Sequence, residues 1–388
     1  MVSLTQPVDT PYPWREHNRF ELLIDGDRFY PAMLEAIAGA QRQVLLEMYL
    51  IRSGGIVTRF IEALTAAAAR GVAVFLLLDD FGAYGLQRSD RRRLRDHGVH
   101  LCYFNPLRYR RLLGNLFRDH RKLLVIDGRL AIAGGAGISD DFASTHGERR
   151  WRDNMVAIEG PVVSDWQDLF ITNWRRSAAM GAAAPVVLPH RGAAGVQRGR
   201  VNYTRGFLYP AIKRTAVTRI RSAANRVWLA TAYFVPSLKL RRVLRQAAGR
   251  GVDVRLLLPG PRTDHPPIRH AGRRFYHRLL RHGVRIFEYQ PRFTHSKVLL
   301  CDDWVSIGSS NIDRWTLRWN LEANQEVDDA VFAAETAEML EADFAESKDL
   351  LPENWGRRSS YQRLRETFWG WVDLGLERWT RSSPRDGA

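Results

Sequence analysis

His295-Ser296-Lys297-Val298-Leu299-Leu300-Cys301-Asp302, followed shortly by Gly308-Ser309-Ser310-Asn311, is the stretch that decides how this chain is read. It has the form H-x-K-x4-D, then G-S-x-N. The same string stands upstream as His120-Arg121-Lys122-Leu123-Leu124-Val125-Ile126-Asp127, followed by Gly134-Gly135-Ala136-Gly137. A solvated surface His-Lys pair explains one copy. It does not explain two copies in the same frame.

The residue types suit one chemistry. Histidine is the side chain that serves as a neutral nucleophile or a protonated acid near pH 7. A lysine two residues along a strand points to the same side of the sheet, so each copy presents an imidazole and an ammonium together. A Gly-Gly or Gly-Ser turn lets backbone N–H groups and a hydroxyl approach an anion. Such a set fits a phosphodiester: one His attacks phosphorus, the other protonates the leaving oxygen, and the lysines neutralise the non-bridging oxygens. A metal site is the competing reading of paired His and Asp, but a Lys between the ligands would repel a cation. No metal and no cofactor are expected. Asp127 and Asp302 each lie five residues past their Lys, an odd number, so on a continuous strand they face away from it. They are read as structural carboxylates that bind backbone groups.

Outward from the motifs, the chain repeats itself. A helix-like stretch 29–40, a strand-like 44–50, a helix 58–69 and a buried strand 74–78 recur as 211–224, 227–233, 238–248 and 254–258. Arg70-Gly71-Val72 returns as Arg250-Gly251-Val252, and His97-Gly98-Val99 as His282-Gly283-Val284. Between the halves, 178–200 is rich in Ala, Gly, Pro and Arg, and reads as a linker or crossing loop. The expected organisation is α/β: a first domain at 1–177, the linker, a second domain at 201–352, and a basic, Trp-rich tail at 353–388. Neither half holds both His-Lys pairs. The two must pack face to face, with the motifs meeting at a pseudo-twofold axis.

Composition limits the partners. The 388 residues carry a formal net charge of +16, which favours an anionic partner: nucleic acid or an acidic membrane surface. Two cysteines make no disulfide framework, and Cys301 reads as a small buried residue. The N-terminal stretch lacks a signal-like apolar core, and runs such as 72–78 are too short to span a bilayer. A cytoplasmic protein, peripherally associated with the inner face of the membrane, is the expectation.

The paired motifs resemble those of the phospholipase D superfamily. Arg118-Asp119-His120-Arg121-Lys122, Phe104-Asn105-Pro106 and Tyr233-Phe234-Val235-Pro236 are similar to its bacterial cardiolipin synthase branch. The resemblance covers about residues 20–355. It implies two duplicated α/β sandwich domains, with His120 as nucleophile forming a phosphohistidine and His295 as acid. It also implies a phosphatidyl transfer from phosphatidylglycerol to a second lipid headgroup, giving cardiolipin and glycerol. A hydrolytic phospholipase D or an endonuclease using the same residues stays open, as does a non-catalytic binding protein. Nucleic acid is the less favoured partner, because small nucleases of the superfamily usually carry one motif and dimerise.

Further residues follow from the pattern. Glu322, 27 residues after His295, and Asp153, 33 after His120, are candidate carboxylates for orienting the imidazoles through Nδ1–H. Gly135, Ser309 and Asn311 are candidate phosphate binders. Gly137 stands where the family usually has Asn, and Ser139 is a candidate substitute donor. Asp264 and the pair Asp79-Asp80 follow buried strands, at strand ends where sites in such folds tend to form, and Asp264 is a candidate wall residue. The basic amphipathic stretch 107–118 reads as a lipid-facing loop or short helix, or as a packed surface helix. In the tail, Leu364, Phe368, Trp371, Val372, Gly375 and Trp379 keep helical spacing among arginines. That pattern suits an interfacial helix, or one packed on the body.

Overall fold

The computed structural model describes residues 12–108, 114–143, 150–190, 192–205, 210–312, 319–356, 358–359 and 364–372. The first half runs β1 (Arg15–Ile24), α1 (Gly26–Ala38), β2 (Gln43–Met48), α2 (Gly55–Ala69), β3 (Ala73–Asp79), α3 (Arg88–Asp96) and β4 (His100–Phe104). It continues through β5 (Arg118–Asp119), β6 (Lys122–Ile126), β7 (Leu130–Gly134), β8 (Asn154–Glu159) and α4 (Val163–Ser177). The second half opens β9 (Gln197–Arg205), α5 (Ala211–Ser222), β10 (Arg226–Thr231), α6 (Leu238–Gly249), β11 (Asp253–Pro259), α7 (Pro266–Arg273), α8 (Tyr276–Leu280) and β12 (Arg285–Tyr289). Then come β13 (Lys297–Cys301), β14 (Trp304–Gly308), β15 (Asn320–Asp328), α9 (Ala330–Ala345), β16 (Ser347–Asp349) and α10 (Pro352–Gly356).

The sheet order states the duplication. From the β1–β9 junction, one arm runs β1-β8-β7-β6-β2-β3-β4 and the other β9-β15-β14-β13-β10-β11-β12-β16, equivalent strands in mirrored places. Strands β2-β3-β4 and β10-β11-β12 are parallel, while β6 and β13 run antiparallel to β2 and β10. The central strands are covered on both faces, which is why they read as largely apolar runs.

The described residues form three apolar layers. One lies outside the first arm, under α1 and α2, and another outside the second, under α5 and α6. The third is shared. Trp166 and Phe170 of α4, Phe332 and Leu340 of α9, and the inner faces of both arms (Leu123 and Val156 of one, Val298 and Val305 of the other) form a single cluster. The halves are therefore packed face to face through a core to which both contribute.

Two expectations are corrected. The stretch 178–200 is not wholly linker: its last residues enter β9, which pairs with β15 along its length. The preceding part is docked on the first half, where the Gln43 side chain exchanges two hydrogen bonds with Val186 and Leu188 is buried. Nor do His120 and His295 share a strand with their lysines. Strands β6 and β13 begin at the Lys, and each His lies just before them. Residues 109–113 of the basic stretch and 373–388 of the tail, with Gly375 and Trp379, fall outside the described residues. The part 114–116 forms one 3-10 turn. No helix among the described residues is long and apolar enough to cross a membrane.

Candidate active site

Each His segment is held by the other half. The β5 strand pairs in parallel with the start of β15, and His120 N–H donates to Leu321 O at 2.9 Å. In the second half Thr294 bridges Arg152, and His295 N–H donates to Arg152 O at 2.7 Å. The residues that follow these two acceptors are Glu322 and Asp153. His120 Nδ1 therefore lies 2.9 and 3.1 Å from the two Glu322 carboxylate oxygens, and His295 Nδ1 lies 2.7 Å from Asp153 Oδ2. Counting along the chain matches each acid with the His of its own half. The fold crosses the pairs.

An acid on Nδ1–H leaves Nε2 of each ring as the open nitrogen. Lys297 Nζ also comes within 2.7 Å of His295 Nδ1, but that nitrogen's one hydrogen serves Asp153; the ammonium donates to the His295 carbonyl and faces Asp153 at 3.9 Å. Lys122 Nζ likewise donates to the His120 carbonyl, at 2.5 Å, and lies 5.1 Å from the Tyr49 ring centre. The same ring packs edge-on against His120, 4.6 Å between centroids.

Burial sets the charge states. Desolvation lowers the Lys122 pKa to about 7 and the Lys297 pKa to about 8, with Glu322 and Asp153 opposing the shift. Both histidines are depressed, first by burial and then by the neighbouring lysines, His295 more strongly. Burial pushes Asp153 up to about 6 against the pull of Lys297. Two lysines and two imidazoles thus share one buried site with the Glu322 and Asp153 carboxylates.

The glycine-rich turns do different things in the two halves. Ser309 gives its hydroxyl hydrogen to Glu322 and its N–H to Ala323 O, so neither is open to a phosphate. Gly135 N–H is likewise taken by Asn154 O, and a Cβ there would stand 2.4 Å from Asp153 Oδ1. Gly135 makes room for the acid. Asn311 differs: its Oδ1 accepts from Thr231 Oγ1 at 3.1 Å, and its buried Nδ2 has no partner among the described residues. In the first half Met48 takes the register of Thr231, each opposite the motif Lys. A Cβ at Gly137 would meet Leu50 O at 2.6 Å, so an Asn has no space there. Ser139 does not replace it, because its hydroxyl bonds Asp141 and caps a short turn.

Asp127 and Asp302 stand away from the pocket. Each sits at positive φ in the hairpin after its motif strand. Asp127 accepts from the N–H groups of Gln41, Arg42 and Gln43, and Asp302 from those of Ala224, Asn225 and Arg226. They clamp the starts of β2 and β10. The acids at the strand ends are also tied in: Asp79 accepts from Asp119 N–H at 2.9 Å and pairs with Arg118, and Asp264 accepts from the Tyr233 hydroxyl at 2.6 Å. Behind Asp153, Arg152 is locked between Asp25 and Asp343.

Sequence reasoning did not single out Tyr49, Thr231 or Arg152. Tyr49 directly follows β2, whose register opposes the motif strand, and that adjacency was its only signal. Arg152 carried none.

The family described as "Cardiolipin synthase, PLD-like domain" matches residues 33–174 and again 216–346, one match per half. The chain belongs to this family. Among curated members, cardiolipin synthase A of Pseudomonas aeruginosa is 35% identical over 365 residues, 92% of this chain and 72% of that protein. Cardiolipin synthase B of Salmonella typhi is 36% identical over 337 residues, 82% and 78% of the two chains. The fold is that of a phosphatidylserine synthase structure from Haemophilus influenzae Rd KW20, with a TM-score of 0.71 at 14% identity and 94% of each chain covered. As a member of the cardiolipin synthase family, the chain is a phosphatidyltransferase of the phospholipase D type.

Proposed function

We propose that the chain transfers a phosphatidyl group from phosphatidylglycerol to a second phosphatidylglycerol, working at an anionic membrane surface from its inner face. The crossed pairs His120–Glu322 and His295–Asp153, each beside a buried lysine, carry this reading. His120 Nε2 attacks phosphorus while the bond to the glycerol oxygen breaks. His295 donates its proton to that oxygen, and glycerol leaves a phosphohistidine behind. The headgroup hydroxyl of the second lipid then attacks phosphorus, gives its proton to His295, and releases His120 as the phosphorus–nitrogen bond breaks. Lys122, Lys297 and the open Asn311 amide hold the non-bridging oxygens. A bound phosphodiester places negative charge beside His295, which favours its protonated form against the depression by burial. The assignment of His120 as nucleophile follows the family pattern.

Product analysis on phosphatidylglycerol vesicles by mass spectrometry tests this. Cardiolipin from the wild type and none from His120→Ala or His295→Ala is the expected result. Phosphatidic acid in its place would assign hydrolysis instead. Activity should also persist in a chelator, because two lysines occupy the place a cation would need.

A further inference from the structure

Residues 364–372 form a helix with its faces reversed. Its inward side is polar: Glu366, 5% exposed, accepts from Arg273 and Arg358, and Gly370 O accepts from Arg274. Its outward side carries Leu364, Phe368 and Trp371 at 68%, 54% and 70% exposure, spaced four and three residues apart. A helix that met only water would turn these over. Arg365 lies exposed beside the stripe.

The helix is anchored on Arg273 and Arg274, at the end of α7, which follows the carboxyl end of β11. The equivalent place in the first half is the loop after β3, where Phe81 and Tyr84 are 56% and 84% exposed. This loop is rigidly tied to the site: Asp79 holds Asp119 N–H, one residue before His120, and Asp80 holds the N–H of Leu107, itself exposed. Register places the carboxyl ends of β3 and β11, which lead into these two features, on the edge of the motif lysines. Met48 at the end of β2 faces Lys122, Thr231 at the end of β10 faces Lys297, and β3 and β11 run parallel to those strands. The apolar groups therefore flank the buried His-Lys pairs from both halves, with Arg88 exposed, Arg262 exposed and donating to Pro291 O, and Arg52 exposed but paired with Asp141.

We propose that this edge is a two-sided docking surface for an anionic phospholipid bilayer, with Leu364, Phe368 and Trp371 on one side and Phe81 and Tyr84 on the other. The inference rests on the reading of the site as one that takes membrane lipids. Charge selects the occupant: the arginines and the net charge of +16 suit anionic headgroups, and the apolar side chains suit the acyl boundary beneath them.

The test uses the full chain, with Leu364→Ser/Phe368→Ser/Trp371→Ser and Phe81→Ser/Tyr84→Ser as two separate variants. Partition onto phosphatidylglycerol/phosphatidylcholine vesicles is measured by sedimentation, and turnover on short-chain phosphatidylglycerol kept below its micelle concentration. Each variant should partition at least about tenfold more weakly, since every lost apolar contact removes buried area. Turnover of the monomeric lipid should be unchanged. Wild-type partition by both variants overturns the proposal. So does a triple variant that loses only self-association, which would mean that the stripe covers a second copy. A wild type that turns over neither lipid would overturn the catalytic reading, while the partition difference still decides the docking surface.

Discussion

His120 hangs its backbone N–H on Leu321 and its ring on Glu322, 202 residues further along the chain. His295 repeats the arrangement on Arg152 and Asp153. Each imidazole is thus positioned by the half that does not encode it.

This crossing separates the effects of the two acids. Glu322→Gln removes the carboxylate that fixes the His120 tautomer, and should lower kcat by about 10²–10⁴. Asp153→Asn should do the same with phosphatidylglycerol. With a nitrophenyl phosphatidyl ester the leaving group needs no acid, so Asp153→Asn should keep a pre-steady-state burst that Glu322→Gln loses. A burst lost equally in both variants would show that the acids do not divide the work this way.

The pocket should bind anions asymmetrically. Asn311→Ala removes the open amide and should cost about 10²–10³ in kcat/KM, whereas Thr231→Val, which only orients that amide, should cost less. Gly137→Asn should not improve the site. It forces a Cβ against the Leu50 carbonyl and should destabilise the fold by about 1–3 kcal/mol in urea denaturation. Adding Leu50→Ala should not restore it, since the closest atom is backbone.

Anion binding should be linked to proton uptake. Lys122 and Lys297 lose their protons near 7 and 8 when folded, while an unfolded chain holds them to about 10.4. Between those values the unfolded state binds more protons, so this contribution makes stability rise with pH. A bound sulfate favours the charged lysines and reverses the shift. Calorimetry at pH 8 in buffers of different ionisation enthalpy should show proton uptake on sulfate binding, and affinity should fall as pH rises through 7 to 9. Binding without uptake would count against lysines whose pKa values are depressed in the free site.

The motif aspartates should matter to stability rather than chemistry. Asp302→Ala removes the acceptor of three N–H groups, two of them solvent-exposed, and should cost about 1 kcal/mol, with kcat retained well below Tm. Those N–H groups hold the Asp302 pKa below its usual value, so its contribution is present above about 4 and is lost as pH falls through the folded value.

The motifs were legible because their chemistry is local: two residues apart for His and Lys, five more to the Asp. The duplicated order of elements was legible from the period of the apolar runs and the repeated Arg-Gly-Val and His-Gly-Val turns. What the chain did not disclose was long-range. Which acid meets which His depends on how 118–120 aligns with 320–322, and no count along one half contains that. The occupation of Ser309 by Glu322, and the crowding of Gly137 by Leu50, depend on side chains brought together by the fold. The turns after the two motif aspartates differ by one residue, a hairpin of three, 127–129, against one of two, 302–303.

The shared apolar layer has a consequence for the peptide that joins the halves. Residues 179–184 are exposed, whereas α4, α9 and both inner sheet faces are buried in one cluster. A protease nick in that exposed run would sever the covalent link and leave the interface intact. The two fragments should stay together through gel filtration and still turn over lipid, behaving as a heterodimer whose subunits happen to be synthesised as one polypeptide.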